Sequence, residues 1–309
     1  MQKKIFITGA NGCIGHYVLD AVKNNKEYLL YLLVRDPDKL KFDHKKFSNI
    51  NIIQDDISNI ENYRDILKEM DYLVHIAAGW GGKEAFDVNY KYTLKLFDLL
   101  DPIKCSKVIY FSTASILDKN NTLLAEAGTI GTDYVKSKYQ CYNSLKALKI
   151  SEKIVTVFPT LVFGGDKNHP YSHLAAGVNT AKKWIGIARF LTFDAGFHYI
   201  HAQDIGLIVR YLIENKTEGL NFVLGNKYIS LGEFIKRTAL FFGKKVYFQV
   251  NIPPVFFKFM AFILRKKPSS WDLFCLENRH FSYNTINTST FKIRSDHDTV
   301  ETILKSLLI

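Results

Sequence analysis

Two side chains with evident acid–base chemistry, Tyr134 and Lys138, stand four positions apart in Tyr134-Val135-Lys136-Ser137-Lys138. On a helix that spacing puts both on one face. A phenol of ordinary pKa, about 10, is a poor base at neutral pH. A neighbouring ammonium favours the phenolate, lowers that pKa and prepares the hydroxyl for proton exchange. A third group, Thr113 in Phe111-Ser112-Thr113-Ala114-Ser115, follows an apolar run that reads as a strand. Ligands of a doubly wound sheet bind beyond the carboxyl ends of its strands, so the Thr113 hydroxyl is placed to hold a substrate oxygen beside Tyr134. Taken singly, each feature has a plainer explanation as covered surface or a strand-ending turn.

What these groups would act with is indicated near the start of the chain. Thr8-Gly9-Ala10-Asn11-Gly12-Cys13-Ile14-Gly15 joins a strand-like run to a helix-like one. Glycines at this spacing permit a tight turn and a close backbone approach to a pyrophosphate at the positive end of the helix. The spacing differs from the commonest dinucleotide fingerprint, but its place at the first strand-to-helix turn fits that use. The contacts expected here are Gly9, Asn11, Gly12, Cys13 and Ile14. About twenty residues on, where the adenosine ribose should lie, stands Leu33-Val34-Arg35-Asp36-Pro37-Asp38-Lys39. Arg35, helped by Lys39, can accommodate a 2′-phosphate and favours NADP; Asp36 can hydrogen-bond a ribose hydroxyl and leaves NAD open.

The elements that must position these residues follow from apolar periodicity. Strands are expected at Lys4–Thr8, Leu29–Val34, Ile50–Ile53, Tyr72–Ala77, Lys107–Ser112 and Ile154–Phe158. Helices are expected near Ile14–Lys23, Ile60–Lys68, Ala85–Leu100 and Thr132–Leu148. This alternation is that of βαβ units and a parallel sheet. After Gly164 the rhythm loosens, with a further helix from Gln203-Asp204, a strand at Asn221–Gly225 and proline breaks at Pro253-Pro254 and Pro268. The expected fold is α/β, a Rossmann doubly wound parallel sheet with a smaller, discontinuous C-terminal substrate-binding lobe. Residues 1–164 and about 203–226 form the dinucleotide-binding domain; residues 165–202 and 227–309 form the lobe.

Composition narrows the functional classes. The chain has 309 residues, 47% hydrophobic and 23% charged, as a globular protein with a sizeable core has. No apolar run is long enough to span a membrane, and the start lacks the pattern of a signal peptide. The four cysteines, Cys13, Cys105, Cys141 and Cys275, form no CxxC pair, which argues against a zinc site or a disulfide framework and for a reducing cytoplasm. No metal is expected; His75, in a buried strand, reads as a hydrogen-bonded core residue. The formal charge is +11, but the basic residues are spread along the chain, with one tight cluster at Arg265-Lys266-Lys267. That reads as solvated surface rather than a nucleic-acid site. The stretch Ile252–Leu264 could lie on anionic lipid, but a helix roofing a substrate pocket is the preferred reading, so membrane-surface contact is not expected.

Taken together and in order, these motifs resemble those of the extended short-chain dehydrogenase/reductase family, the NAD-dependent epimerases/dehydratases. The resemblance runs through Thr8–Gly15, Asp56-Ile57, His75-Ile76-Ala77-Ala78, Asn89 in Asp87-Val88-Asn89-Tyr90, Ser112-Thr113, the Tyr134/Lys138 pair, Pro159–Gly164 and Ile200–Asp204. It implies a small-molecule substrate and catalysis by Tyr134 as proton donor and acceptor. Lys138 would lower the tyrosine pKa and hold the nicotinamide ribose, and Thr113 would orient the substrate oxygen. Asp56 and Ile57 would meet the adenine, Ala77 and Ala78 would line the cofactor, Pro159 and Val162 would pack near the nicotinamide, and Asn89 would support the cofactor channel. A homodimer through Ala85–Leu100 and Thr132–Leu148 is consistent with family habit.

Departures from the family pattern bear on the substrate. Ala114-Ser115 stand where 4,6-dehydratases carry an Asp-Glu pair, and neither can act as acid or base. Thr160–Gly164 replaces an asparagine-bearing stretch that contacts a diphosphate, and His198 replaces a frequent arginine. Val34–Pro37, Phe158–Thr160, Ile252–Phe257 and Lys267-Pro268 look more like the dihydroflavonol-reductase-like and 3β-hydroxysteroid-dehydrogenase-like branch. The resemblance therefore implies an NAD(P)-dependent oxidoreductase acting at a hydroxyl or ketone carbon; the alternative is a nucleotide-sugar epimerase.

Overall fold

The structure, a computed structural model, describes residues 2–256, 265 and 267–308. Seven strands make the central sheet: β1 (Lys3–Thr8), β2 (Tyr28–Val34), β3 (Ile50–Gln54), β4 (Tyr72–His75), β5 (Lys107–Phe111), β6 (Ile154–Pro159) and, far along the chain, β11 (Asn221–Leu224). Their spatial order is β11-β6-β5-β4-β1-β2-β3, and every pairing in it is parallel. The order reverses between β1 and β4, which opens a crevice at the carboxyl edge of the sheet.

Both faces of the sheet are buried because successive strand residues point to opposite sides. Ile5, Ile7, Val74, Ile109, Val155 and Val157 pack on one face, with helices α1 (Cys13–Val22) and α9 (Ala202–Glu214). Phe6, Leu73, Val108 and Tyr110 point the other way, against Leu96, Phe97, Cys141 and Leu145. A run such as Val108-Ile109-Tyr110-Phe111 is therefore apolar throughout, as a strand covered on both sides must be.

Two expected helices are broken: the one at 60–68 is a 3₁₀ stretch (Ile57–Tyr63) followed by a short α-helix (Arg64–Lys68), and the longer one is interrupted by a wide turn. The stretch from residue 85 to 100 is α3 (Gly82–Phe86), a wide turn at Asp87–Tyr92 with π-type hydrogen bonding, and α4 (Thr93–Asp98). The Thr93 hydroxyl donates back to the Val88 carbonyl (2.8 Å) across this turn. Apolar periodicity does not register such a local widening. The helix expected at 132–148 is α6 (Asp133–Ser144), with Thr132 accepting from the Val135 N–H as its N-cap, followed by a single 3₁₀ turn.

Beyond β6, three two-stranded pairs build the smaller part of the molecule. β7 (Leu161–Phe163) runs parallel to β10 (Tyr199–His201), β8 (Leu191–Thr192) runs parallel to β13 (Val250–Asn251), and β9 (Gly196–Phe197) runs antiparallel to β12 (Ile229–Ser230). Helix α10 (Leu231–Phe241) and the helix Val300–Leu307 pack together over Phe163, Tyr199 and Ile229, and Arg237 pairs with Glu301 between them. The expected roof or membrane-surface segment Ile252–Leu264 lies largely outside the described residues. Among the described residues, no helix is long and apolar enough to cross a membrane.

Candidate active site

The glycine loop lies where β1 meets α1, at the mouth of the crevice. Gly9 has a φ of +78°, and a Cβ there would sit 2.5 Å from the Ala77 amide nitrogen and 2.8 Å from the Ile76 carbonyl carbon. Only glycine lets the β1 and β4 exits approach so closely. Gly12 differs. It is the exposed N-cap of α1, and a Cβ built on it meets only the Gly9 carbonyl, at 3.4 Å. No side chain caps this end of the ten-residue helix, and its first turn holds no acidic residue. The loop therefore leaves an uncovered, positively polarised concavity of the kind that receives a phosphate.

The neighbouring expected contacts divide into those that frame this hollow and those held in the fold. Asn11 donates to the Asp36 carbonyl (2.8 Å), tying the loop to the end of β2. Cys13 turns inward toward Gly164, and burial pushes its thiol up to about 12. Ile14 is half-buried and packs on the core below the loop. Asp56 accepts from the Ser58 N–H (2.8 Å) and caps the turn after β3, while Ile57 is buried in the core. Arg35 is exposed and stands 3.9 Å from Asp56 and 3.8 Å from Glu84; Lys39 lies 3.4 Å from Asp36. Ala77 and Ala78 are half-buried at the exit of β4, and Pro159 and Val162 follow at the ends of β6 and in β7.

The candidate catalytic groups sit on the β5–α6 side of the crevice. Lys138 is 1% exposed, and its ammonium donates to the Phe111 carbonyl (2.7 Å) and lies 5.0 Å from the centre of the Tyr110 ring. Burial, with no carboxylate partner among the described residues, pulls its pKa down to about 8. Burial likewise pushes Tyr134 up to about 12, and the Thr113 hydroxyl offsets a part of this by favouring the phenolate. The lowering of Tyr134 expected from Lys138 is thus not found in this geometry. The ammonium is turned to the strand carbonyl, and desolvation of the phenol dominates. Thr113 is 8% exposed and donates to the Ser115 hydroxyl (3.3 Å), where the dehydratase carboxylates would stand.

A buried polar lattice holds the β4 exit and α6 in register. Thr8, His75 and Thr93 are linked by bonds of 2.7 and 2.8 Å at the two ring nitrogens of His75. Thr93 already donates to Val88, so it accepts from Nε2–H of His75, and Nδ1 accepts from Thr8. Burial, then the Lys138 charge, drives the His75 pKa far down and keeps the ring neutral. Asn89, wholly buried, accepts from the Gly79 N–H (2.9 Å) and donates to the Gly79 carbonyl (2.8 Å) and to Ser137 (3.0 Å), the residue beside Lys138. It is a clamp between the loop after Ala78 and the helix of Tyr134.

One residue of the site was not singled out from the sequence. The Trp80 ring stacks on Tyr134, with centroids 4.6 Å apart and planes at 13°, and meets His173 edge-on at 4.7 Å and 74°. Its only signal was an aromatic side chain in the glycine-rich Gly79-Trp80-Gly81-Gly82, directly after Ala77 and Ala78. His198, in the place of a frequent arginine, is 5% exposed. It makes a 2.7 Å bond to the Asn226 carbonyl and accepts the Tyr283 N–H (3.1 Å), so it is a neutral brace within the fold.

Sheet order, open glycine hollow and the pair of half-buried Tyr134 and buried Lys138 together define an enzyme of the extended short-chain dehydrogenase/reductase class. A family model matches residues 5–225, and the chain belongs to the NAD dependent epimerase/dehydratase family. No curated protein matches it. Among solved structures it is similar to the UDP-N-acetylglucosamine 4-epimerase of Methanobrevibacter ruminantium in complex with UDP-N-acetylmuramic acid. That likeness has 17% identity and a TM-score of 0.69, over 99% of this chain and 98% of that one. It is also similar to the Bordetella bronchiseptica enzyme WbmG in complex with NAD, at 15% identity and a TM-score of 0.68 over 100% and 94% of the two chains. The dTDP-glucose 4,6-dehydratase of Bacillus anthracis in complex with NAD follows at 14% identity and a TM-score of 0.65, over 99% and 96%.

Proposed function

We propose that this enzyme is an NADP(H)-preferring oxidoreductase that interconverts a hydroxyl and a ketone on a small molecule. The observation that carries this reading is the convergence of Thr113, Tyr134 and Lys138 at the carboxyl end of β5, across the crevice from an open glycine hollow. The residues fit a nicotinamide dinucleotide. Gly9, Gly12 and the start of α1 would take the pyrophosphate, Arg35 and Lys39 a 2′-phosphate, Ala77 and Ala78 the channel wall, and Pro159 and Val162 the nicotinamide end. When bound, that group supplies or accepts the hydride.

The chain's own residues do the rest. Tyr134 passes its phenolic proton to the substrate oxygen in reduction and takes it back in oxidation, and Thr113 hydrogen-bonds that oxygen and fixes its position. Lys138, held by the Phe111 carbonyl, presents a positive charge that favours phenolate character once the pocket is filled. We assign residues 165–202 and 227–309 to substrate binding, and the site to the dihydroflavonol-reductase-like or 3β-hydroxysteroid-dehydrogenase-like branch.

A second reading, a nucleotide-sugar epimerase, is supported by the general likeness to solved epimerases. Against it stand the internally bonded His198 and the stretch Thr160–Gly164, which lacks the asparagine expected to contact a diphosphate. Titration of the purified protein with NADPH and NADH, followed by nicotinamide fluorescence, tests the cofactor assignment. The reading expects tighter binding of NADPH, lost in Arg35→Ala. Preference for NADH, or a cofactor that co-purifies and does not exchange, would move the assignment to the epimerase.

A further inference from the structure

We infer that Trp80 and His173 form a subsite beside Tyr134 that receives a flat, apolar ring of the substrate; this deepens the oxidoreductase reading and rests on it for the role of Tyr134. An indole spread over a reacting tyrosine and still 61% exposed is a large apolar surface left in water at the site of chemistry. The loop that carries it is pinned at both ends. Asn89 holds the N–H and carbonyl of Gly79, and the Gly82 N–H donates to the Asp133 carboxylate (3.1 Å) at the start of α6. Between these anchors Gly81 has no atom within 4 Å of a built Cβ, and Gly82 has a φ of +59° with the same open space. The glycines thus carry the chain around the indole without adding bulk beside it.

The neighbourhood selects the kind of ring. His173 stands nearly perpendicular to the indole and closes a corner with it. The segment that carries His173 also exposes Tyr171 (45%) and Leu174 (41%). Aromatic faces of this sort bind a planar group by offset or edge-on stacking and by removing apolar area from water. A substrate whose carbonyl is flanked by such a ring would place its oxygen at Thr113 and Tyr134 and its flat body against Trp80.

The test is equilibrium binding of 2-naphthol, a flat phenol, measured by calorimetry with and without NADP⁺ on the wild type, Trp80→Ala and Trp80→Phe. The wild type should bind it; Trp80→Ala should weaken binding about ten-fold or more, and Trp80→Phe should restore most of the loss. NADP⁺ affinity and thermal midpoint should stay the same in all three. Equal 2-naphthol affinity in wild type and Trp80→Ala would overturn the inference, as would no binding to the wild type. Binding of UDP-glucose in its place, weakened by Trp80→Ala, would assign the corner to a sugar and overturn it too. Turnover is not needed for this readout. Failure of the Tyr134 mechanism would instead appear as 2-naphthol binding intact with no hydride transfer.

Discussion

Replacing Lys138 by methionine should change how the stability of this protein depends on pH. The ammonium is 1% exposed, its pKa falls to about 8 from an ordinary 10.5, and among the described residues no carboxylate offsets the cost of burying it. Between those values the unfolded chain binds more protons than the folded one, so stability rises with pH across that window. The penalty is full below about pH 8 and gone above the unfolded value. Integrated over the whole shift it is about 3 kcal/mol, and about 2 kcal/mol of it is relieved between roughly pH 7 and pH 9.5. Lys138→Met removes the titrating group and with it this gain. The variant also leaves the Phe111 carbonyl without its ammonium donor, at a cost of about 1–3 kcal/mol that does not vary with pH. Urea unfolding of both proteins without cofactor, near pH 7 and near pH 9.5, isolates the difference. The wild type should gain about 2 kcal/mol over the variant on going to the higher pH. A stability difference that is the same at both pH values would refute the claim that Lys138 is buried as an unpaired charge.

Further outcomes follow from the same geometry. Tyr134→Phe should lower turnover by about 10²–10⁴-fold while leaving dinucleotide affinity within two-fold, as read by steady-state kinetics and fluorescence titration. Gly12→Val should fold with an unchanged thermal midpoint but lose dinucleotide binding, because its side chain would enter only the open hollow. Gly9→Ala, with a φ of +78° and a backbone contact at 2.5 Å, should instead lower stability by at least about 2 kcal/mol in urea unfolding. Asn89→Ala strips the partners from a buried loop and should cost about 1–3 kcal/mol, with a raised KM as the Gly79–Gly82 loop loosens.

The parts of this site that were legible in the sequence are those whose geometry is local. A glycine loop between strand and helix, a tyrosine and lysine one helical turn apart and a hydroxyl at a strand end each carry their own spacing, and the alternating apolar runs placed them on one sheet edge. What was hidden depends on contacts between distant segments. The direction of the Tyr134 shift could not be read from the neighbouring lysine, because it is decided by how deeply the phenol is buried and by the Phe111 carbonyl, which captures the ammonium. Trp80 meets Tyr134 across more than fifty residues of chain, and the clamp of Asn89 on Gly79 and Ser137 joins three segments. The turn at Asp87–Tyr92 escaped for another reason: its widened hydrogen bonding leaves the apolar period of the helix almost unchanged.

Net hydride transfer tests the central claim most directly. Purified protein is mixed with excess NADPH and a panel of flat-ring ketones, loss of the reduced nicotinamide absorbance is followed, and the alcohol formed is quantified beside Tyr134→Phe. The account predicts stoichiometric consumption of NADPH and formation of alcohol by the wild type, reduced at least a hundred-fold in the variant. Consumption that persists in Tyr134→Phe would contradict the assigned chemistry. So would a cofactor that stays bound while a nucleotide sugar is epimerised with no net loss of NADPH.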